Sequence, residues 1–390
     1  LQSIIGCRLF AYYGFNLHLR SNRCFSMTFS MAENHPHNLH GRAYKNIVPA
    51  MRHALSSGLR AAIYSIPRSK SLRWICGDES RLSIRRLVAV DFARPYSSGI
   101  AIYDGLTPDE ALRATGTAKT TATICTDSTD EALYMADIES LKCIVARSNG
   151  KAVLSRIICG QSQALAKDTV AVALDYFKNT PNNFNILLHT PETGTWIVST
   201  PERLLDMKLD SGRISTMALA GTMPTPADGL CQWDIKNIRE QAIVSDEIIR
   251  QLNKAHVQNI RNYTCNVASG AVTHICTHIY GTTASPNAYR ELLDILSPTP
   301  ALGGWPRHTA LRLIRKFEKH PRQLYGGYIS IEDDKTAQAF VTLRCAHTDN
   351  QGRYCIYTGS GILSNSDAES ERNETALKAS GLLRSILNSI

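Results

Sequence analysis

Four β-type runs follow one another in the middle of the chain with no helical pattern between them. They cover residues 184–189, 195–199, 203–208 and 213–219, and each is rich in apolar residues. This order does not follow the strict β-α-β alternation of a parallel sheet. We therefore predict an α+β fold in which antiparallel sheet is layered with helices.

Amphipathic helices flank this strand-rich centre. Helices are predicted at about 128–147, 164–178, 234–255, 286–296, 307–319 and from 366 onwards. The first and last would open with capping boxes, Ser128 with Glu131 and Ser366 with Glu369. Further strands are predicted at 61–66, 86–92, 151–158, 272–280, 323–331, 337–347 and 353–357.

The first fifty residues lack a firm period. The chain begins with Leu1, and residues 1–32 contain arginines but no acidic residue. Such a start is compatible with a transit peptide, but we favour a truncated or over-extended N-terminus, with Met27 or Met31 as alternative starts. We predict an N-terminal extension over residues 1–55 and one domain over 56–390.

Composition argues against several classes of function. The net charge of +9 weakly favours anionic partners, but no basic run supports nucleic-acid binding. No apolar stretch approaches the roughly 18 to 20 residues of a membrane span. The 11 cysteines are scattered and lack a C-x-x-C spacing, so we predict free thiols in a reducing cytoplasm, with neither a disulfide framework nor a zinc site.

The C-terminal region carries charged residues in a suggestive arrangement. Glu371, Glu374 and Lys378 fall on one face of the last predicted helix. The amides around Gly359 and Gly361, just before it, could receive an anionic group. A solvated helix face with an internal ion pair is the simpler alternative.

Other single residues are ambiguous by themselves. Lys151 at a strand start is either a snorkelling lysine or a base, and Glu202 is either a candidate acid or a surface partner of Arg203. His274 is as compatible with core packing as with function. Arg344, in an apolar predicted strand, needs an anionic partner, either a glutamate or a substrate carboxylate.

The order of these residues resembles the chorismate-utilising family of isochorismate, salicylate, anthranilate and aminodeoxychorismate synthases. The resemblance spans about residues 130–388. The matching segments are Lys151-Ala-Val-Leu-Ser-Arg156, Ser199-Thr-Pro-Glu-Arg203, Ala218-Leu-Ala-Gly-Thr222, Arg239-Glu-Gln-Ala-Ile-Val244, Val272-Thr-His274, Ser297-Pro-Thr-Pro300, Leu324-Tyr-Gly-Gly327, Val341-Thr-Leu-Arg-Cys345, and Gly359-Ser-Gly-Ile362 with Glu371-Arg-Asn-Glu374.

The resemblance implies a single large chorismate-binding domain. Its two stacked antiparallel sheets carry helices outside, and the active site lies in the cleft between the halves. It also implies Mg²⁺ as cofactor, bound by Glu240 and Glu371, with Glu374 acting through water. Mg²⁺ suits such a site because it takes few carboxylates and keeps several waters.

Three positions separate the activities within the family. Ammonia-using anthranilate synthases have Gln where this chain has Lys151, which matches the members that activate water. Aminodeoxychorismate synthase has a nucleophilic Lys where Ala220 stands, and salicylate and anthranilate synthases tend to have Arg where Met223 stands.

Two segments depart from the family pattern. Many family members have His where this chain has Ser297, and many isochorismate synthases have Gly-Glu-Trp where this chain has Ser370-Glu371-Arg372.

We therefore expect an isochorismate synthase, an isomerase acting on chorismate. By resemblance, Lys151 is the general base that activates water and Glu202 the general acid for the leaving C4 hydroxyl. The Gly359–Gly361 amides, Arg344 and either Tyr328 or Tyr325 would hold a substrate carboxylate. The remaining expected substrate contacts are Leu219, Ala220, Gly221, Thr222, His274, Thr299 and Lys378.

Two alternatives stay open: a salicylate synthase that adds pyruvate elimination, and a degenerate, non-catalytic chorismate-binding homologue. The pathway, either menaquinone, siderophore or salicylate biosynthesis, is left open. We expect a cytoplasmic monomer with no nucleic-acid or membrane partner and no glutamine amidotransferase subunit.

Overall fold

Sixteen strands form the framework of the part of the chain that the structure describes. The computed structural model describes residues 43–388 except residue 70 and residues 80–82, 117–119, 270 and 286–287. The strands are β1 (Ala61–Ser65), β2 (Arg73–Cys76), β3 (Arg86–Val90), β4 (Ile100–Tyr103), β5 (Lys151–Gln161), β6 (Phe184–Thr190), β7 (Gly194–Thr200), β8 (Arg203–Lys208), β9 (Arg213–Pro224), β10 (Gln258–Ser269), β11 (Val272–Thr282), β12 (Gly304–Trp305), β13 (Tyr328–Glu332), β14 (Thr336–Val341), β15 (Cys345–Thr348) and β16 (Arg353–Ile362).

These strands form two eight-stranded sheets. The first has the order β12-β5-β16-β15-β7-β6-β1-β2, and the second has the order β10-β11-β9-β8-β14-β13-β3-β4. Every strand pair in the two sheets is antiparallel. Short turns join β6 to β7, β7 to β8 and β8 to β9, as the helix-free centre of the sequence predicted.

Apolar side chains from both sheets pack together between them. Phe184 of β6 stacks on Phe340 of β14 with ring centroids 4.2 Å apart, and Leu205 and Val198 belong to the same buried cluster. Burial of such side chains from water is the main term that holds two sheets face to face. The predicted fold of stacked antiparallel sheets is therefore confirmed.

Helices cover the outside of these sheets. They are α1 (Ala43–Ser57), α2 (Pro108–Ala111), α3 (Glu131–Ser148), α4 (Gln163–Lys178), α5 (Ile235–Lys254), α6 (Ala288–Leu296), α7 (Arg307–Phe317) and α8 (Ala368–Asn388). Helices α1, α4 and α8 contribute to a second apolar cluster on the first sheet. Among the described residues, none of these helices has the length and hydropathy needed to cross a bilayer.

Helix α1 changes the predicted division at residue 55. Its residues Ile47, Ala50, Met51 and Ala54 are buried in the cluster that also contains Ile63 of β1. Residues 47–54 of the predicted extension are therefore packed against the sheet, and the rest of that extension up to residue 42 lies outside the described residues.

Several predicted elements differ in detail. Strand β10 was not predicted, because its residues are mostly exposed and lack an apolar alternation. The strand predicted at 337–347 is two strands, β14 and β15, which belong to different sheets. The chain crosses between the sheets at Thr342–Arg344, where Arg344 has a φ of 46°.

Both predicted capping boxes are also wrong in register. The side chain of Asp130, not Ser128, accepts the Leu133 N–H at the start of α3. At α8, Asp367 rather than Ser366 accepts the N–H of Ser370. In both cases an aspartate adjacent to the first helical residue reaches the free N–H groups more directly.

Candidate active site

A cavity lies where the two sheets meet, as expected for a site in the cleft. Its lining includes Glu202, Leu219, Ala220, Thr222, Glu240, His274, Tyr325, Arg344, Gly359, Gly361 and Lys378. All of these except Tyr325 are site residues predicted from the sequence, and Tyr325 is the predicted alternative to Tyr328. The antiparallel framework brings them together from segments spread between β7 and α8.

Lys151 is the first residue of β5, and its side chain is completely buried. Its Nζ lies 3.0 Å from Oε1 of Glu240, in a contact that lacks good hydrogen-bond alignment. A Cβ at position 361 would collide with Lys151 Cε and with Glu240. Glycine at 361 is therefore required for this lysine and this glutamate to meet beside β16.

Glu202 occupies the turn between β7 and β8 and is buried. Its carboxyl accepts a hydrogen bond from Thr299 Oγ1 at 3.4 Å. Burial raises the pKa of Glu202 to about 8, although the charge of Lys151 and the Thr299 hydrogen bond oppose the shift. The alternative of a surface pair with Arg203 is wrong, because that arginine pairs with Asp206.

Glu240 is also buried, but its pKa moves in the opposite direction from that of Glu202. Burial favours its neutral form, but the ammonium groups of Lys151 and Lys236 outweigh burial and lower the pKa of Glu240 to about 2. Helix α5 carries both Glu240 and Lys236, one turn apart.

The acidic groups predicted to bind metal surround this lysine. Lys236 Nζ is 3.4 Å from Glu240 Oε2 and 2.9 Å from Glu371 Oε1. Glu371 Oε2 is buried without a hydrogen-bond partner, and burial followed by the charge of Glu374 raises the pKa of Glu371 to about 6. Carboxylate oxygens that already enclose a cation, with one oxygen unpaired, fit the ligand set of Mg²⁺.

Glu374 and Lys378 form an adjoining pair on α8. Their Oε1 and Nζ atoms are 2.6 Å apart, and Lys378 also donates to the Gly359 carbonyl at 3.1 Å. The predicted face of α8 therefore lies beside the cavity, next to the part of β16 that contains Gly359 and Gly361. The simpler alternative of a fully solvated face is wrong, because Glu371 is buried.

Arg344 lies in a chain of hydrogen bonds to neutral groups. It donates to Ser269 O and Oγ, and to His274 Nε2 at 2.8 Å. Because a guanidinium cannot accept, His274 Nε2 must be the acceptor and Nδ1 must carry the proton, which it gives to Thr222 Oγ1 at 3.1 Å. Burial and the charge of Arg344 lower the pKa of His274, which keeps the ring neutral.

No carboxylate pairs with Arg344 among the described residues, so its charge has no anionic partner within that part of the chain. An arginine that faces a cavity in this condition is suited to a ligand carboxylate. Of the two partners expected for Arg344, a glutamate is excluded within the described part of the chain.

Tyr328 does not line the cavity, contrary to the prediction from the sequence. Its side chain is fully buried, it forms part of the core between the sheets, and it is not among the residues lining the cavity. Tyr325, before the Gly326-Gly327 turn, lines the cavity instead and stacks on Tyr357 at 5.6 Å. The reversal of the chain at the two glycines sends these neighbouring tyrosines to different places.

Gly221 and Thr299 support the cavity indirectly. Gly221 has a φ of 62° and lies against the Asn237 carbonyl, where a Cβ would approach to 2.9 Å. Thr299 donates a hydrogen bond to Glu202.

Lys236 was not predicted from the sequence as a site residue, although its i, i+4 spacing to Glu240 indicates that the two side chains can meet.

Known isochorismate synthases are similar in sequence to this chain. The chain is 29% identical over 245 residues to the isochorismate synthase EntC of Escherichia coli K12, covering 60% of this chain and 61% of that protein. It is 31% identical over 194 residues to the salicylate biosynthesis isochorismate synthase of Pseudomonas aeruginosa, covering 47% and 40%. The match thus spans less than two thirds of these curated relatives.

Solved structures share the fold. The menaquinone-specific isochorismate synthase MenF of Escherichia coli superimposes with a TM-score of 0.70 at 20% identity, over 86% of this chain and 91% of that one. DhbC from Bacillus anthracis, described as a putative 2,3-dihydroxybenzoate-specific isochorismate synthase, gives 0.69 at 18% identity over 86% and 99%.

A sequence model of the chorismate binding enzyme family matches residues 106–387, which is more than half of the chain. That stretch contains all the cavity residues described above. The chain therefore belongs to the family of chorismate binding enzymes.

Proposed function

We propose that this protein is an isochorismate synthase, which converts chorismate to isochorismate by adding water at C2 and releasing the C4 hydroxyl. The observation that carries the proposal is a buried glutamic acid, Glu202, whose pKa is raised to about 8 and on which the charge of Lys151 acts. A carboxylic acid that keeps its proton at neutral pH can act as a general acid, and a buried amine close to it can act as a general base.

In the proposed reaction, Lys151, which is an ammonium beside Glu240 in the ligand-free protein, first gives up a proton, and its free amine then takes a proton from a water molecule as that water attacks C2. The ring double bonds shift, and Glu202 gives its proton to the hydroxyl that leaves C4. One water is added and one is released, so the net change is an isomerisation. Thr299 holds the Glu202 carboxyl in place through its hydrogen bond of 3.4 Å.

The proposed cofactor is Mg²⁺. Glu240 and Glu371 would hold it, because their oxygens already enclose the Lys236 ammonium, and Glu374 would act through water. When bound, the ion supplies positive charge that neutralises a substrate carboxylate. When the ion binds, the Lys236 ammonium would either move away from Glu240 and Glu371 or remain beside the ion.

The other substrate carboxylate is assigned to Arg344 and to the backbone around Gly359 and Gly361. Arg344 is charged, faces the cavity and is held by Ser269 and His274. Gly359 and Gly361 of β16 both line the cavity, so their backbone is available to a ligand. Tyr325, Leu219, Ala220 and Thr222 would contact the rest of the substrate.

Two positions favour this reaction over those of other family members. Lys151 suits activation of water rather than use of ammonia, and Ala220 provides no amine for a covalent intermediate. For the same reason we propose that the protein acts without a glutamine amidotransferase. We further propose a cytoplasmic location, supported by the buried thiols of Cys345 and Cys355. We also propose a monomer, which light scattering after gel filtration tests.

The experiment is incubation of the protein with chorismate and Mg²⁺, followed by chromatographic separation of the products. Isochorismate without sustained pyruvate release is expected. Fluorescent salicylate together with pyruvate would support a salicylate synthase and reject the simple isomerase. No consumption of chorismate by the folded, Mg²⁺-loaded protein would favour the degenerate binding protein.

A further inference from the structure

A thiol pair and an imidazole meet on the hairpin formed by β10 and β11. Cys265 and Cys276 are direct partners in the antiparallel register. His278 follows Cys276 by two residues and therefore points to the same face of the strand. Cys276 Sγ lies 3.5 Å from His278 Nε2, and one ligand atom from each of the three residues lies within 4.8 Å of the others.

We propose that Cys265, Cys276 and His278 form a second metal site, which binds a thiolate-seeking divalent ion such as Zn²⁺ and is separate from the carboxylate site of the cavity. The residues are of the types that zinc selects, two sulfurs and one imidazole nitrogen, with a fourth position left for water or another ligand.

The spacing agrees with tetrahedral coordination. Metal–sulfur and metal–nitrogen bonds of about 2.3 Å and 2.0–2.1 Å at a tetrahedral angle place sulfur and nitrogen roughly 3.5 Å apart. The observed separation of Cys276 Sγ and His278 Nε2 is 3.5 Å. The third ligand comes from the paired strand, so only side-chain rotations are needed to complete the set.

Binding would be coupled to the release of protons, because cysteine binds a metal ion as the thiolate.

The face that carries these groups is accessible. Cys265 and His278 are partly exposed, and the neighbouring Tyr263 and Tyr280 are 53% and 40% exposed. Helix α5 packs on the opposite face, where Gln241 donates to Thr277. An ion can therefore approach from solvent at Cys265 and His278 without disturbing the helix, whereas Cys276 is fully buried beneath them.

The site adjoins the cavity but does not overlap it. Cys276 is paired with Leu219 across β9 and β11, and Leu219 lines the cavity. A bound ion would link the exposed edge strand β10 to β11, close to His274 in the wall of the cavity.

The test is a Co²⁺ titration of the reduced full chain in saturating Mg²⁺, so that carboxylate sites are already filled. Co²⁺ bound by thiolates gives a charge-transfer band in the near ultraviolet, which carboxylate ligation does not. We expect one equivalent of Co²⁺ to produce the band, and Zn²⁺ to remove it by displacement.

Variants connect the band to the residues. Cys265→Ser and His278→Gln, at partly exposed positions, should each weaken Co²⁺ binding by more than the roughly 10-fold loss that even an outer partner causes. The matched control is Cys159→Ser, which breaks a second cross-strand thiol pair of the described residues, Cys159 with Cys355, and should leave the band unchanged.

The proposal is overturned if the native protein gives no band, or if Cys265→Ser and His278→Gln retain it at native affinity. Loss of the band in Cys159→Ser would also overturn it, because the thiol pair of the first sheet would then be the site. Circular dichroism confirms that each variant is folded before titration.

Discussion

Glu202 and Glu240 are both buried in the same cavity, yet their pKa values move in opposite directions. That of Glu202 is raised to about 8, and that of Glu240 is lowered to about 2. Burial acts on both in the same sense, by penalising the charged form. The difference comes from their partners: Glu202 contacts the neutral hydroxyl of Thr299, whereas Glu240 contacts two ammonium groups.

Burial alone therefore does not set the protonation state of a carboxyl group in this cavity. In the proposed mechanism, the two corners of the cavity therefore have different tasks. Glu202, with its neutral partner, holds a proton for delivery, and Glu240, with cations around it, keeps the negative charge that would bind a metal ion.

The largest expected effect comes from removing the proton at the Glu202 corner. Glu202→Gln keeps the size and the Thr299 contact but cannot deliver a proton, so kcat should fall by about 10²–10⁴. Chorismate consumption in the presence of Mg²⁺ measures it. Glu332→Gln, which alters a buried carboxylate paired with Arg86, is the control and should keep kcat; a Glu202→Gln enzyme with native kcat would remove Glu202 from the mechanism.

The next effect concerns stability at the Glu240 corner. Glu240→Gln leaves the buried Lys151 ammonium without its anionic partner, so the free energy of unfolding should drop by about 3–5 kcal/mol. Urea unfolding at neutral pH without metal measures this loss. On the same helix, Glu247→Gln breaks a pair with the half-exposed Arg250 and should cost no more than about 1 kcal/mol. Equal losses in the two variants would contradict the contrast between the corners.

The two glutamates should also impose opposite pH dependence on stability. Because the folded-state pKa of Glu202 is about 8 against a reference of 4.5, the unfolded chain ionises first, and stability is lost as pH rises from 4.5 to 8. For Glu240, at about 2, stability is present above 4.5 and is lost as pH falls to 2.

Glu202→Gln isolates the first contribution. Relative to the native protein, the variant should gain about 1.4 kcal/mol of unfolding free energy for each pH unit between pH 5 and 8. Urea unfolding of both proteins across this range supplies the comparison. A difference that stays constant with pH would mean that Glu202 is ionised in the folded protein.

A smaller effect concerns Lys236, which competes with a metal ion for Glu240 and Glu371. Lys236→Met should bind Mg²⁺ about tenfold more tightly, or ~1.4 kcal/mol, because no ammonium has to be displaced. Isothermal titration gives the two Kd values, and Lys254→Met at the exposed end of α5 is the control. Weaker Mg²⁺ binding in Lys236→Met would show that ammonium and ion act side by side.

The smallest effect is expected at Tyr328. Its buried hydroxyl has no hydrogen-bond partner, so Tyr328→Phe should leave kcat and KM close to native and should not lower stability. Tyr325→Phe, at the cavity wall, should raise KM. Reversed results for the two tyrosines would restore Tyr328 as the substrate contact.

Much of the architecture was predictable because strand and helix patterns are local. Consecutive β runs without helices predicted an antiparallel fold, and the family resemblance placed Lys151, Glu202, Glu240 and Glu371 in one cleft. The exposed strand β10 was missed because it lacks an apolar alternation. The split of 337–347 was missed because an apolar run does not reveal a change of sheet.

The sequence by itself determined which chemical groups are available and which of them share a helix or strand face, since these follow from residue type and spacing. Only the tertiary structure decided which distant groups become neighbours. It placed Lys236 between two glutamates and Tyr325 rather than Tyr328 in the cavity. It also joined Cys265 to Cys276 and His278, where cysteine spacing alone predicted no zinc site. The reason is physical: pKa values and ligand sets depend on distances of a few ångströms between elements, and local sequence does not contain those distances.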